Sequence, residues 1–299
     1  MIRAAAVLAI PSPSINSFAL GPLTIKFYAL FILTGIVVAI LVTRARARRS
    51  GISGGDALDI ALWAVVFGIA GSRIWHVLTH PGDYFGAGRN PVTALYIWEG
   101  GIAIFGAVLF GAIGIWIGCR RAGVDFVRFA DALAPGLLLA QAIGRLGNWF
   151  NQELYGAPTT LPWGLQIDPE RSPAFPAGLP ADTLFQPLFL YELLWNSVGA
   201  LVIILLGRAL RTRGFDLRGA SLGAYLIWYG VARAYLEGLR IDPTQLLIVG
   251  IKSNQLAASL VALLGAVLLV RAWRRRRRAA VGPESGTASD APMSTEVAP

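Results

Sequence analysis

The sequence predicts an all-α, polytopic integral membrane protein with about seven transmembrane helices, the N-terminus outside and the C-terminus cytoplasmic. Three observations carry this. Of 299 residues, 55% are apolar and only 14% charged, against roughly 25% charged in soluble domains, and the mean hydropathy is +0.60. Apolar runs long enough to cross about 30 Å of hydrocarbon as helices lie at 25–43, 57–79, 100–118, 132–150, 186–207, 219–236 and 254–273. The positive charges, finally, fall in alternate connections between those runs.

Each element has its own justification. "MIRAAAVLAIPSPS" holds one arginine and a short apolar run broken by prolines, and reads as an uncleaved external arm rather than a signal peptide. The second and third runs carry Gly68, Gly71, Gly106, Gly111, Gly114 and Gly118, which suit close helix packing. His76 and His80, the only histidines, lie at the outer end of the second run, where an interfacial role fits. Cys119 is the single cysteine, which excludes an intramolecular disulfide and any cysteine-based metal cage. No metal site is expected. Pro135, Gly136 and a polar motif interrupt the fourth run. Residues 151–184 contain six prolines and no helical period, and read as an external loop packed over the membrane surface. Residues 1–278 then form one membrane-embedded domain, and the small, polar residues 279–299 a disordered cytoplasmic tail. There is no internal repeat at a fixed period, which weakens an inverted-repeat transporter.

Charge sets the orientation. Of 26 Lys and Arg, 17 lie on one side: Arg44, Arg46, Arg48 and Arg49; Arg120, Arg121 and Arg128; Arg208, Arg211, Arg213 and Arg218; Arg271 and Arg274 to Arg278. Six lie on the other: Arg3, Lys26, Arg89, Arg171, Arg240 and Lys252. The richer side is cytoplasmic by the positive-inside rule. Topology and attraction to anionic headgroups account for the net charge of +9, without nucleic acid. Three arginines remain within or at the edge of spans: Arg73, Arg145 and Arg233. An intramembrane arginine costs at least about 2.5 kcal/mol on insertion scales, so each is a functional candidate.

Two segments surround two of them. In "GRLGNWFNQELYG", 144–156, a continued helix would turn about 100° per residue, setting Gln141, Arg145, Asn148 and Gln152 on one polar face. Lipid cannot satisfy such a face, which must meet protein or a wet cavity. Gly144 and Gly147 would admit a partner backbone or a ligand. In "YGVARAYLEG", Tyr229, Arg233 and Glu237 follow at i, i+4 and i+8 on one face. Two further clusters are "FQPLFLYE", with Gln186, Tyr191 and Glu192, and "WEGGIAIFG", where Glu99 precedes a glycine pair. Two arginines on separate helices, fixed by amides and carboxylates, suit bidentate capture of a phosphate. A structural helix–helix network would use the same residues. Intramembrane serine–histidine proteases are excluded because neither histidine lies deep in the bundle, and HExxH metalloproteases, P-loop and dinucleotide-binding proteins by missing motifs. An anionic phospholipid headgroup fits what remains.

The first segment closely resembles the signature of the prolipoprotein diacylglyceryl transferase family: glycine–arginine–x–x–asparagine–x–x–asparagine–x–glutamate–x–x–glycine. "YGVARAYLEGLR", "QPLFLYE" and "GPLTIKFYAL" resemble further family segments in the same order, over roughly residues 20 to 275. The resemblance implies a seven-span enzyme of the bacterial cytoplasmic membrane. It would transfer an sn-1,2-diacylglyceryl group from phosphatidylglycerol to the lipobox cysteine of a prolipoprotein and release glycerol phosphate, without a cofactor. Carried over, the implied catalytic residues are Arg145, Arg233, Glu237, Tyr229 and Asn148. Those implied for phosphatidylglycerol binding are Arg145, Tyr28, Asn151, Glu153, Gly156, Gln186 and Glu192. Glu237 would orient Arg233 or accept the thiol proton. One departure stands out: Phe105 occupies the place where many family members carry a histidine. A lipid-phosphate transporter or flippase using the same arginines is the alternative function.

Overall fold

A computed structural model describes residues 9–86, 88–215, 218–241, 247–248 and 251–280. The described chain is mostly helical. The long helices are α1 (Phe27–Arg48), α2 (Gly54–Thr79), α4 (Ile104–Ala122), α5 (Phe126–Asn151), α6 (Leu188–Thr212), α7 (Ala220–Leu239) and α8 (Ser253–Ala280), with one short turn, α3 (Gly82–Phe85), after α2. Each expected run lies largely within one long helix. Six of these are long and apolar enough to cross a membrane. The seventh, α7, is 20 residues long and carries Arg233 and Glu237 in its apolar sequence. The expected tail falls outside the described residues, except that α8 runs through its first two positions.

Local signals set the helix ends. Ser53 caps α2 by accepting the Asp56 N–H, and Asp125 caps α5 by accepting that of Arg128. Gly123 ends α4 in the left-handed conformation, φ 64°. The expected interruption of the fourth run does not break α5, which continues through Pro135. Proline lacks an N–H and so frees the carbonyl four residues earlier. That carbonyl belongs to Asp131, and the Arg46 guanidinium donates to it at 3.2 Å. The Asp131 carboxylate in turn caps the start of α7, accepting the Gly219 and Leu222 N–H groups at 2.5 and 2.8 Å. One kink-prone position thus ties α1, α5 and α7 together.

Lipid tails give little hydrophobic drive to helix association, so close packing of small residues matters more. α2 lies against α4, α1 against α5, and α7 against α8, while α5 also meets α6 and α7. At the α2–α4 contact a Cβ on Gly106 would strike the Gly71 carbonyl, and one on Gly114 the Trp63 carbonyl. The helix-packing role expected of those glycines is borne out there. Cys119 is 2% exposed and packs with Ile60 and Phe129.

Among the described residues, six short strands add detail that hydropathy does not predict. β1 (Ser17–Leu20) and β2 (Leu23–Lys26) form a hairpin before α1, and β5 (Leu247–Ile248) pairs with β6 (Ile251–Lys252) before α8. β3 (Leu165–Gln166) and β4 (Leu184–Phe185) pair within the proline-rich loop, and Ile10 bridges to Leu165. Tyr155, Leu165, Ile167, Phe185 and Phe189 form a small core beneath this loop. The N-terminal arm therefore lies across the loop at the Arg145 end of α5, as Trp149 Nε1 donating to the Pro11 carbonyl also shows.

Candidate active site

The site is assembled at one end of α5, α6 and α7. Arg145 projects from the last two turns of α5, and Glu192 from the second turn of α6. One Arg145 nitrogen lies 2.6 Å from Glu192 Oε2, and another donates to Asn148 Oδ1 at 3.1 Å. Arg233, on α7, lies 3.5 Å from the other oxygen of Glu192. Glu192 is 6% exposed and bridges the two arginines that the sequence leaves on separate helices. Arg233 is also fixed one turn along its own helix by Glu237, at 2.8 Å.

Glu237 is 2% exposed, and its oxygens are committed. Oε1 accepts from Asn254 at 3.0 Å, while Oε2 faces Arg233 and, at 3.4 Å, Arg240. The Lys252 ammonium caps the end of α7, donating to the carbonyls of Glu237 and Arg240 at 3.0 and 3.2 Å. Sequence reading missed Arg240, Lys252 and Asn254. Arg240 stands in the quoted "YLEGLR" three residues after Glu237, the only signal that could have exposed it. Lys252 and Asn254 carry none, because the fold alone returns the start of α8 to the end of α7.

On the other side, Asn148 and Asn151 both donate to Glu153 Oε1, at 2.8 and 3.2 Å. This geometry depends on how α5 stops. Gln152 takes the left-handed conformation at the helix end, φ 52°, and Leu154 is left-handed as well, φ 58°. Non-glycine residues there are strained by about 1–3 kcal/mol each, and the strain turns Glu153 back under the amides. The same turn corrects the expected polar face. Gln152 leaves it, donating to the Pro13 carbonyl at 3.2 Å and accepting the Asp168 N–H at 2.7 Å. Gln141 stays on it and donates to the Tyr225 hydroxyl at 3.1 Å. Tyr229 stacks on Tyr225 with ring centroids 6.0 Å apart, one turn before Arg233.

Tyr28 opens α1 and covers Gly147, where a Cβ would sit 2.6 Å from the Tyr28 ring. At Gly144 the nearest atom is an Ile32 methyl at 3.6 Å, so only Gly147 is needed for close approach. Gly156 and Gln186 share a backbone rung, Gly156 N–H to Gln186 C=O at 3.0 Å, and Ala157 N–H reaches the Leu239 carbonyl at 3.1 Å. Both therefore staple the loop to the ends of α6 and α7. Tyr191 turns to Trp163 of the loop, accepting its indole N–H at 3.1 Å.

The third intramembrane arginine does not join this network. Arg73 donates to the carbonyls of Thr93, Ala94, Gly100 and Gly101 at 2.6 to 3.0 Å. It holds the segment between α3 and α4 in place. His76 stacks on His80 with centroids 4.5 Å apart, and Glu99 is exposed. Phe105 is 56% exposed beside Trp75. Among the described residues no group of three His, Cys, Asp or Glu is placed to hold a metal.

Among the described residues, the linked network contains Arg145, Arg233, Arg240 and Lys252 against Glu153, Glu192 and Glu237. A guanidinium has five N–H donors, so both arginines keep donors beyond those facing carboxylates. Those remaining donors can meet an anionic group.

The family model for prolipoprotein diacylglyceryl transferase matches residues 16–271. The chain is 54% identical over 254 residues to the phosphatidylglycerol–prolipoprotein diacylglyceryl transferase of Leifsonia xyli subsp. xyli, covering 83% of this chain and 75% of that one. It is 46% identical over 269 residues to the protein of that name from Bifidobacterium adolescentis, covering 87% and 79%. The Frankia alni protein of that name is 45% identical over 276 residues, covering 92% and 70%. With most of its length matched at this identity, the chain belongs to the prolipoprotein diacylglyceryl transferase family.

Proposed function

We propose that this enzyme transfers the sn-1,2-diacylglyceryl group of phosphatidylglycerol to the lipobox cysteine of a prolipoprotein, in the bacterial cytoplasmic membrane. Family membership supports the reaction, and the observation that supports the site is the Arg145–Glu192–Arg233 bridge. The phosphodiester, carrying one negative charge, suits the N–H donors that Arg145 and Arg233 keep beyond their carboxylate contacts. Arg145 and Arg233 bind it, Asn148 fixes the Arg145 rotamer, and Tyr28, Asn151, Glu153, Gly156, Gln186 and Glu192 shape its pocket.

The substrate thiol releases its proton to solvent, and the thiolate attacks the glycerol carbon that bears the phosphate. A sulfur–carbon bond forms, the carbon–oxygen bond breaks, and glycerol phosphate leaves with the electron pair. Negative charge grows on the phosphate oxygen as that bond breaks, and preorganised guanidinium donors stabilise it. The committed oxygens of Glu237 favour an orienting role for it, with Tyr229 packed one turn before the arginine it orients. The arginine-rich helix ends face the cytoplasm and the site lies toward the outer leaflet. Contacts such as Arg211 to the Arg49 carbonyl, and Arg218 to Asp125, support gathering those ends on one side.

The test incubates purified protein with phosphatidylglycerol vesicles and a lipobox peptide. Thioether-linked diacylglyceryl peptide and released glycerol phosphate are expected, and Arg145→Lys and Arg233→Lys should each lose about 10²–10³ in rate. Lipid movement without peptide modification would mean a carrier instead.

A further inference from the structure

At the opposite, arginine-rich end of the bundle, a cavity of about 780 Å³ opens between α6 and α7. Arg46, Arg49, Arg128 and Arg211 line its mouth, with Asp131. An adjoining recess of about 340 Å³ adds Arg208 and shares Gly207 with the cavity. Farther in, the wall is apolar: Val202, Leu206, Ala224, Ile227 and Leu269. Trp228 also lines it, and Trp228 and Trp195 donate to each other's backbone carbonyl, both at 3.0 Å. Sixteen residues of α6 separate Glu192 from Arg208, about 24 Å at 1.5 Å per residue. The basic mouth is thus remote from the site above, while the apolar wall runs along α7 as far as Trp228.

Among the described lining residues, arginines outnumber carboxylates: Asp131 is the one carboxylate, and its oxygens already accept the Gly219 and Leu222 N–H groups. Arg46 places one nitrogen 3.2 Å from both the Asp131 carbonyl and Ser221 Oγ, and the residue lines both the cavity and the adjoining recess. A basic mouth on an apolar groove matches a molecule with an anionic head and a hydrocarbon tail. A free phosphate would meet only the mouth.

We infer that this cavity is a second lipid site, binding an anionic phospholipid of the leaflet at the arginine-rich end. Its phosphate sits among Arg46, Arg208 and Arg211, and one acyl chain lies in the groove between α6 and α7. Such a lipid would hold α1, α6 and α7 together and is not a substrate.

The full chain in detergent tests this by native mass spectrometry, counting retained phosphatidylglycerol. Arg145→Ala/Arg233→Ala first empties the outer site, and one lipid should still be retained. Two further changes are added separately. Arg46→Gln/Arg211→Gln should weaken retention about tenfold per arginine, as expected for charge-assisted bonds. Gly207→Leu leaves every charge in place and should abolish retention, because a Cβ there meets only the Arg46 nitrogens at 3.8 Å, so the side chain grows into the recess. In an otherwise unchanged protein, Gly207→Leu should keep transferase activity, which shows that it folds. Phosphatidylcholine should be retained poorly, and millimolar inorganic phosphate should not displace the lipid. Retention unaffected by both changes overturns the inference, as does displacement by inorganic phosphate.

Discussion

Replacing Glu192 by Gln keeps the side-chain volume and removes only the charge that joins Arg145 to Arg233. Glu192 is 6% exposed, while the two arginine side chains are 19% and 16% exposed. Breaking a buried ion pair costs about 3–5 kcal/mol when the partner is left uncompensated. Three features lower that figure. The Arg233 contact is long, at 3.5 Å, both guanidinium groups are partly hydrated, and the amide oxygen still accepts one bond from Arg145. A loss of about 2–3 kcal/mol in stability follows, close to the value of one hydrogen bond to a charged group. Catalysis should suffer more, because two loosened arginines no longer wait where charge develops, and kcat should fall about 10²–10³-fold. KM for phosphatidylglycerol should not rise, since removing the Glu192 charge leaves both guanidinium groups less neutralised. The assay pairs steady-state lipidation of a lipobox peptide with thermal unfolding of the same micellar preparation. A raised KM with intact kcat would refute the reasoning and make Glu192 a headgroup contact instead. Unchanged stability and kcat would show that the bridge has no role.

The remaining predictions concern other parts of the structure. Glu237→Gln should lower the unfolding temperature and kcat while leaving the shape of the pH–rate profile unchanged; loss of its basic limb at normal stability would make Glu237 the proton acceptor. Gly147→Ala should impair activity severely, because the new methyl lands 2.6 Å from Tyr28 and overpacking costs about 1–3 kcal/mol. Gly144→Ala, with 3.6 Å to its nearest neighbour, serves as the tolerated control, and equal loss in both would exclude the Tyr28 contact as the cause. Cys119→Ala, and His76→Ala with His80→Ala, should retain most activity in the lipidation assay, since the reacting thiol arrives with the substrate. Arg73→Gln should make the 93–101 segment cleavable in limited proteolysis, because one side chain supplies four bonds to its carbonyls; unchanged protection would show that the segment is held otherwise.

What the sequence determined by itself is what depends on the surrounding solvent. Hydrocarbon forces every long apolar run into a helix, so the positions of the long helices were legible from composition alone. The same constraint marks Arg145, Asn148, Arg233 and Glu237 as groups that must face protein. The tertiary structure decided who meets whom. Arg145 and Arg233 are 88 residues apart, and only the packing of α5, α6 and α7 sets both on Glu192. Asn254 and Lys252 reach Glu237 because a hairpin returns α8 to the end of α7. Arg73 proved to be a scaffold for a loop because its partners are backbone carbonyls, which every residue carries and no pattern reveals. Gln152 left the polar face because α5 ends in a left-handed turn, and Pro135 was accommodated because Arg46 meets the carbonyl it frees. Hydropathy is set residue by residue, whereas a hydrogen-bond partner across helices is set by the fold.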